Sequence, residues 1–356
     1  MISIRNHLSA TVNDVDEFLK CIVQQMWEDL NPHNRAGNPM KRSLLSKAQN
    51  LIAEVTSVEY VKKVGEQASV RHLSYVRYLA NSVNLKHIIT AKPEALDDII
   101  ATAKLYLHDD DLYLEVDGKI ESQPFGKILL SKLFNYERYR GSTHCHERYK
   151  ALNFDQATCP YCNENSARII RVERPGDEES IIMLYDIDHF YPKHMFPYLA
   201  LSFYNHIPSC KTCNQTFKGS APFTVGTHIH PYQKCFDSIY SFEFNHSILA
   251  NQPIEKVKLN NTTDFPDKLA AILQLESRYQ ASTRLSRSPK LIEILSKRTH
   301  LLLDPALSPQ ELETLIEALE YFGVVSKKNH ILSNLHSKFH RDIVKMFDVH
   351  NTLNLD

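Results

Sequence analysis

The chain has 356 residues, of which 43% are hydrophobic and 23% are charged, and its formal net charge is −1. This composition is typical of a globular protein, and the length suggests about two or three domains. A charge so close to zero counts against a stand-alone nucleic-acid binder and suits a subunit that another protein delivers to its substrate. No apolar run approaches the ~18 residues of a membrane span, and residues 1–8 lack the apolar core of a secretory signal.

Residues 1–140 are predicted to form a helical N-terminal region. Asn13 or Asp14 can cap a helix that runs to Trp27, since apolar residues recur there at helical spacing. Asp117-Gly118 lies between two short apolar segments and predicts the turn of a β-hairpin. Helical spacing also recurs in three further stretches, residues 43–64, 94–107 and 129–139.

Between residues 127 and 174 the chain is mildly basic, and tyrosines lie among the basic residues. One interpretation is a groove for a nucleic-acid substrate. The other is a solvated surface with acidic residues between the basic ones, and the sequence favours neither. The basic residues are Lys127, Lys132, Arg138, Arg140, Arg148, Lys150, Arg168, Arg171 and Arg174.

Four of the seven cysteines form two Cys-x-x-Cys pairs, Cys159 with Cys162 and Cys210 with Cys213. Two such turns can complete a tetrahedral zinc site with four thiolate ligands. The odd total and the paired spacing argue against a disulfide framework and for a reducing compartment, so we expect a cytoplasmic protein. The chain between the pairs must loop out and return.

Polar residues of catalytic type lie on that loop. An apolar run from Ile181 leads into Asp186-Ile-Asp188-His189 and predicts a strand that ends at a polar site. Weak strand character returns in residues 199–204, directly before Asn205. Residues 213–218 are predicted to form a short helix that Gly219 ends. Two strands and a helix, pinned by a metal, form a ββα-metal arrangement.

The order of these motifs resembles the HNH nuclease family. The resemblance consists of a Cys-x-x-Cys pair, an Asp-His at a strand end, an Asn on the return, a Cys-x-x-Cys-Asn and a Lys-Gly. It implies that His189 is the general base that deprotonates a water. It also implies that Asp188 and Asn214 bind one divalent cation, and that Asn205 holds the loop that orients His189.

The chemistry of these side chains suits phosphodiester hydrolysis independently. An imidazole with a pKa near ~6.5 can accept a proton at neutral pH. A carboxylate and an amide oxygen are hard donors, which favour Mg²⁺ or Mn²⁺ over zinc. Asp186 is a rival first ligand, because alternation places it on the same strand face as Asp188, but the family pairs Asp188 directly with the histidine. Lys193 and Lys218 are predicted to contact the flanking phosphates.

Residues 160–235 resemble more closely the PtuB-type HNH subunits of Septu anti-phage systems, including forms attached to retrons. The matching segments are residues 188–193, residues 205–219 and His230-Pro231-Tyr232. The resemblance implies an ABC-type ATPase partner of the PtuA type, a retron reverse transcriptase with its msDNA in the retron-associated forms, and DNA or tRNA as substrate. His228 and His230 are candidates for extra ligands or for packing, and we favour packing because four cysteines already fill the zinc site.

Residues 236–356 are predicted to be a mainly helical C-terminal region. Alternation predicts strands at 240–244 and 254–259, and helices are predicted at 267–280, at 331–347 and from Ser308, whose capping box includes Glu311. A basic segment between these helices is a second candidate for phosphate contact, or a solvated helix face. It contains Arg278, Arg284, Arg287, Lys290, Lys297 and Arg298.

The sequence therefore predicts an α+β, mostly helical protein with a central zinc-stabilised ββα-metal (HNH) module at residues 141–235, flanked by helical regions at 1–140 and 236–356. The predicted function is a metal-dependent HNH endonuclease with structural Zn²⁺ and catalytic Mg²⁺ or Mn²⁺, acting as the effector subunit of an anti-phage complex. The alternative is a zinc-stabilised scaffold or binding subunit of that complex with a dormant nuclease site.

Overall fold

A computed structural model of the protein describes residues 2–173, 180–245, 254, 256–282, 287–303 and 308–355. Arg174 and Arg284, two of the basic residues considered above, lie outside these ranges. The fold is mixed α+β, with mainly helical regular structure and small antiparallel sheets. Within the described ranges, no helix has the length and apolar character that crossing a membrane requires.

The N-terminal region consists of short, individually capped helices. The side chains of Asp14 and Ser43 accept hydrogen bonds from the first turns of α2 and α3, which confirms the predicted cap of the first long helix. Ser57 caps α4, so the predicted stretch 43–64 is two helices and not one. The helices are α1 (Ile4–Leu8), α2 (Val15–Leu30), α3 (Leu44–Val55), α4 (Val58–Val64), α5 (Glu66–Leu79), α6 (Ser82–Thr90), α7 (Leu96–Lys104) and α8 (Asp109–Leu112).

A hairpin and a broken helical segment connect this region to the centre. The predicted hairpin is confirmed: β1 (Tyr113–Val116) pairs with β2 (Lys119–Ser122), and both turn residues have positive φ. The predicted helix at 129–139 is interrupted, because Asn135 caps a new helix after a π-helical turn at Leu129–Leu133. The helices here are α9 (Pro124–Ile128), α10 (Tyr136–Arg140) and α11 (Thr143–Ala151).

The central region contains two small sheets in place of the single predicted strand from 181 to 189. One sheet has the order β3 (Gln156–Thr158), β4 (Ser166–Val172) and β5 (Ser180–Met183), and the other pairs β6 (Asp186–His189) with β7 (His206–Ser209). The weak strand predicted at 199–204 was wrong. That segment forms 3-10 turns and is buried throughout. Its apolar residues are therefore explained by burial on all sides and not by the alternation of a β-strand.

The C-terminal region packs a hairpin against helices. The predicted strands are confirmed as β8 (Tyr240–Asn245) and β9 (Lys256–Asn261), and Ser308 and Glu311 form the predicted capping box. The predicted helix at 267–280 is divided at Gln274, which has a φ of 51°, and the last helix begins only after His336. The helices are α12 (Leu269–Ile272), α13 (Leu275–Ser282), α14 (Ser288–Leu303), α15 (Pro309–Glu320) and α16 (Ser337–Phe347).

Both ends of the chain attach to the central region. The amide of Ile2 donates to the carbonyl of Pro160, and the amide of Ile4 donates to the carbonyl of Pro231. From the other end, the amide of His336 donates to the carbonyl of Asn163. Buried apolar residues from all three predicted regions join one core, so the central region is held from two sides.

Candidate metal centre and adjoining cleft

The four paired cysteines come together as one buried cluster, hereafter the cysteine cluster. Cys159 and Cys162 lie between β3 and β4, Cys210 follows β7, and Cys213 lies in the π-helical segment Thr212–Lys218. Their sulfur atoms all lie within 4.8 Å of one another, and those of Cys162 and Cys210 are 3.8 Å apart. A tetrahedral zinc with Zn–S bonds near 2.3 Å has S···S edges of about 3.8 Å, so these donors fit zinc.

Hydrogen-bond donors surround the cysteine cluster. The amide of Cys210 lies 3.2 Å from the sulfur of Cys159, and the amide of Cys213 lies 3.4 Å from the sulfur of Cys210. Arg278 is buried here, where its guanidinium contacts the sulfur of Cys213 at 3.3 Å and pairs with Glu164 at 2.6 Å. Arg278 therefore belongs to neither alternative left open for its segment, a phosphate contact or a solvated helix face. With a metal bound, the guanidinium would offset the negative charge of the thiolates.

A polar cleft of about 480 Å³ adjoins the cysteine cluster. Its walls are β6, the segment Thr212–Lys218 and α10, so strand and helix residues face one another across it. The polar side chains that line it include Asp186, Asp188 and His189 from β6, Asn214, Gln215 and Lys218 from the helical segment, Tyr136, Glu137 and Arg140 from α10, and Lys193, His194 and Ser220.

His189 is fixed in an orientation that leaves one ring nitrogen for the cleft. Its Nε2–H donates to the carbonyl of Ala200 at 3.1 Å, and its ring lies edge-to-face with Tyr136 at 4.4 Å. Because a carbonyl only accepts, Nε2 carries the proton and Nδ1 keeps the lone pair in the neutral ring. Nδ1 has no hydrogen-bond partner among the described residues. Burial, and then the nearby His206 and Lys193, hold the pKa of His189 well below its usual value.

His206 supports His189 and was missed by the sequence analysis. The two residues face each other in the β6–β7 register, and the Nε2–H of His206 donates to the same Ala200 carbonyl at 2.9 Å. Burial lowers the pKa of His206 to about 4, so the ring is neutral near pH 7. One feature of the sequence could have revealed His206: it directly follows Asn205 on the return of the chain. Residues of a short return strand face the strand that carries the base.

Asp188 is occupied by contacts within the protein, which count against its prediction as a cation ligand. Its Oδ2 accepts from the Tyr161 hydroxyl at 2.7 Å, and its Oδ1 accepts from the Lys218 ammonium at 2.7 Å. Asp188 is 3% exposed, and the side chain of Lys218 is 1% exposed. Lys218 also donates to the carbonyl of His189. The burial of Lys218 counts against its predicted contact with a phosphate.

Asn214 contacts Asp186, the rival ligand, instead of Asp188. Its amide nitrogen lies 3.0 Å from Oδ2 of Asp186, and that oxygen also accepts from Gln215 at 2.7 Å. Asp186 and Asn214 are both half-buried and line the cleft. A carboxylate and an amide that face an open polar cleft are donors that suit Mg²⁺ or Mn²⁺. These two residues fit such a cation better than Asp188 does.

Asn205 holds the backbone next to His189, and Lys193 lines the cleft. Asn205 is fully buried, and its side chain accepts from the amide of Tyr191 at 2.7 Å and donates to the carbonyls of Tyr191 and Leu199. It thus ties the segment after His189 to the segment that carries the Ala200 carbonyl. Lys193 lies 4.6 Å from the centre of the Tyr136 ring at the cleft, and it pairs with Glu137 at 2.6 Å.

His228 and His230 belong to the packing around the cleft and not to the cysteine cluster. The Nε2–H of His230 donates to the carbonyl of Tyr204 at 2.9 Å, and its Nδ1 lies 3.3 Å from the amide of Tyr232. Nδ1 of His228 accepts from the amide of Thr224 at 3.1 Å. Neither histidine joins a potential metal-binding group among the described residues. These contacts favour the packing interpretation.

Comparison of the chain with protein-family models, with curated proteins and with solved structures found no match. The function is therefore argued from the geometry of the cleft and from the chemistry of the side chains that line it.

Proposed function

We propose that the chain is a metal-dependent endonuclease of the HNH type, which hydrolyses phosphodiester bonds of DNA or tRNA. Its ββα-metal module would consist of β6, β7 and the helical segment Thr212–Lys218, stabilised by zinc at the cysteine cluster. One observation carries the proposal: the free Nδ1 of His189 and the Asp186–Asn214 pair belong to a single cleft next to a cysteine cluster of zinc-site dimensions.

In this proposal His189 is the general base. Its Nδ1 takes a proton from a water in the cleft, and the water oxygen then bonds to the phosphorus. The P–O bond to the leaving sugar oxygen breaks, and that oxygen takes a proton from solvent. The Ala200 carbonyl accepts the Nε2–H bond, which orients the ring and strengthens as the ring becomes cationic. The lowered pKa of His189 keeps the ring unprotonated at neutral pH, as the role requires, and also makes it a weaker base than a free imidazole.

Asp186 and Asn214 would hold the Mg²⁺ or Mn²⁺ ion. When bound, such an ion supplies positive charge against the charge that develops on the phosphate. Asn214 would present its amide oxygen after rotation of the amide group, and Asp186 would supply the anionic ligand. The Asp188–Lys218 pair fixes β6 on the helical segment, which keeps Asp186 and Asn214 side by side.

The biological setting that we propose is an anti-phage complex with an ABC-type ATPase, and with a retron reverse transcriptase in retron-associated forms. The resemblance of residues 160–235 to PtuB-type subunits supports this setting. The net charge of −1 supports it too, because a chain without a global attraction for nucleic acid depends more on a partner for delivery.

The test is a cleavage assay of the purified chain on DNA and tRNA, with and without the ATPase, in buffers with Mg²⁺ added or omitted. Omission is better than chelation, because a chelator would also remove zinc. His189→Ala should lower cleavage about 10²–10⁴-fold while zinc content and melting temperature are kept. His146→Ala, on α11 outside the cleft, is the matched control and should cleave at the parent rate.

Two outcomes would contradict the proposal. Cleavage at the parent rate by His189→Ala would remove the assigned base. Absence of Mg²⁺-dependent cleavage by the parent, on both substrates and with the ATPase present, would favour the scaffold function instead.

A further inference from the structure

A second polar pocket, of about 250 Å³, lies across α10 from the cleft. Tyr136, Glu137 and Arg140 of α10 line the cleft, whereas Arg138 and Tyr139 line this pocket. The two sets lie on opposite faces of the helix, as their spacing requires. Arg42, Lys47 and Arg138 give the pocket its charge, and we name it the basic pocket after them.

Ion pairs leave the basic side chains of the basic pocket uncompensated in the part of the chain that the structure describes. Among the described residues, none of Arg42, Lys47 and Arg138 forms an ion pair. The acidic residue of the pocket, Asp29, is already bound to Arg148 at 2.7 Å and lies 3.4 Å from His144. Three uncompensated cations around one cavity repel one another, and an anion in the cavity would relieve that repulsion.

The repulsion also acts on Lys47. Burial is the main cause that lowers the pKa of Lys47 below its usual value, and the nearby charge of Arg138 is the second cause. The starts of α3 and α11 also border the basic pocket, since Leu44 and Ser142 line it, and helix starts add partial positive charge. The basic side chains and the two helix starts therefore favour an anion, whereas the carboxylate of Asp29, which is paired with Arg148, opposes it.

Packed side chains connect the basic pocket to the proposed base, His189. The ring of Tyr139, in the pocket wall, stacks on His206 at 5.7 Å with an interplanar angle of 19°. His206 in turn shares the Ala200 carbonyl with His189. A helix with its side chains is about 10–12 Å across, so cavities on its two sides lie within reach of one nucleic-acid strand.

We infer that the basic pocket binds a backbone phosphate of the nucleic-acid substrate, separate from the phosphate that is cleaved in the cleft. The inference rests on the proposed nuclease function, and it names a part of the substrate-binding surface that lies outside the cleft. A free phosphate or mononucleotide has the same chemistry. A nucleic acid is the favoured source because a single strand can pass over α10 and occupy both cavities.

The experiment measures binding, with cleavage prevented by His189→Ala in every protein used. Fluorescence anisotropy of labelled single-stranded DNA and of tRNA gives the slope of log K against log salt. Lys47→Gln and Arg138→Gln should each weaken binding about tenfold at low salt and reduce the magnitude of the slope by about 0.7–1. Lys328→Gln, an exposed lysine of the C-terminal region, is the matched control and should keep the parent slope.

Inorganic phosphate and AMP distinguish the two sources of phosphate. If they raise the melting temperature of the parent but not of Lys47→Gln, while both slopes for nucleic acid are unchanged, the pocket takes free phosphate and the inference is overturned. Unchanged slopes in both variants, with no effect of phosphate or AMP, overturn it as well.

Failure of the inference and failure of the proposed function give different results. Cleavage that depends on His189, together with unchanged salt slopes in both pocket variants, overturns the inference and leaves the nuclease proposal standing. Reduced slopes in the pocket variants, together with no cleavage by the otherwise unmodified chain, support the pocket as a nucleic-acid site and overturn the nuclease proposal.

Discussion

The cysteine cluster and the cleft are two candidate cation sites with opposite construction. The four sulfur atoms are buried, close to one another and supplied with backbone N–H donors. Asp186 and Asn214 are half-buried and face about 480 Å³ of open cleft, and Asp186 accepts hydrogen bonds from Asn214 and from Gln215. A closed four-sulfur site suits a permanent structural ion, and an open site with few protein donors suits an ion that shares its ligands with a substrate.

The two sites share the same short elements of the chain. Cys213 contributes to the cysteine cluster, and the next residue, Asn214, faces the cleft. Asp186, at the start of β6, pairs in register with Ser209, which directly precedes Cys210. The position of the cleft residues therefore depends on the integrity of the cysteine cluster. Damage to the closed site should disable both sites, whereas damage to the open site should leave the closed one intact.

The largest expected effect comes from breaking the closed site. Cys210→Ser should lose zinc and unfold the central region, because the free energy of zinc binding, about 10–16 kcal/mol in small zinc domains, is folding free energy there. Zinc content and a thermal melt of the purified protein measure both consequences. Cys21→Ser, which changes an exposed cysteine of α2, should keep zinc and the parent melting temperature. A well-folded, zinc-free Cys210→Ser protein would contradict this dependence.

The next effect separates the two aspartates of β6. Asp188→Ala removes the partner of the buried Lys218 ammonium and should lower the free energy of unfolding by about 3–5 kcal/mol. Asp186→Ala removes an acceptor at the open cleft and should cost about 1 kcal/mol of stability, but it should lower Mg²⁺-dependent cleavage about 10²-fold. Urea unfolding and a Mg²⁺ titration of the cleavage rate measure the two effects.

The opposite pattern would reverse the assignment of the two residues. If Asp188→Ala were stable and required more Mg²⁺, while Asp186→Ala unfolded early, Asp188 would be the cation ligand that the family resemblance implies. A protein in which both changes acted on stability alone would leave the cleft without a cation-binding carboxylate on β6.

Local features of the fold were accessible from the sequence. The cap at Asp14, the hairpin turn at Asp117-Gly118 and the capping box at Ser308 are set by neighbouring residues, so their short-range patterns were enough. The pairing of the four cysteines followed from their spacing alone. Breaks inside apolar stretches could not be predicted. The helical spacing of apolar residues continues across the division at Ser57 and across the π-helical turn before Asn135, so it conceals both breaks.

The assignment of side chains in the cleft depended on partners far along the chain. Alternation placed Asp186 and Asp188 on the same strand face, but only the fold shows that Lys218 reaches Asp188 while Asn214 reaches Asp186. The burial of Arg278 at the cysteine cluster likewise depends on α13 packing there. A basic residue in a basic segment appears exposed until its neighbours in space are known.

The smallest expected effect concerns His230, which packs beneath the open site and has no part in the chemistry proposed for it. Burial lowers the pKa of His230 to about 3, against about 6.5 in an unfolded chain. Between these pH values the unfolded state therefore binds more protons than the folded state. The stability that His230 contributes through this difference is fully present above pH 6.5 and is lost as the pH falls toward 3. Between pH 7 and pH 5 the loss from this residue should be about 2 kcal/mol.

Comparison with His230→Gln isolates this contribution. The variant cannot titrate at this position, so its free energy of unfolding should fall by about 2 kcal/mol less than that of the parent between pH 7 and pH 5. Zinc loss in acid affects both proteins alike and cancels in the difference, while His350→Gln, at an exposed position, should behave as the parent does. Equal losses in His230→Gln and the parent would show that His230 is protonated in the folded state. The interior around His230 would then be more hydrated than the buried ring and its bond to Tyr204 indicate. The contrast between a closed protein interior and an open cleft would weaken accordingly.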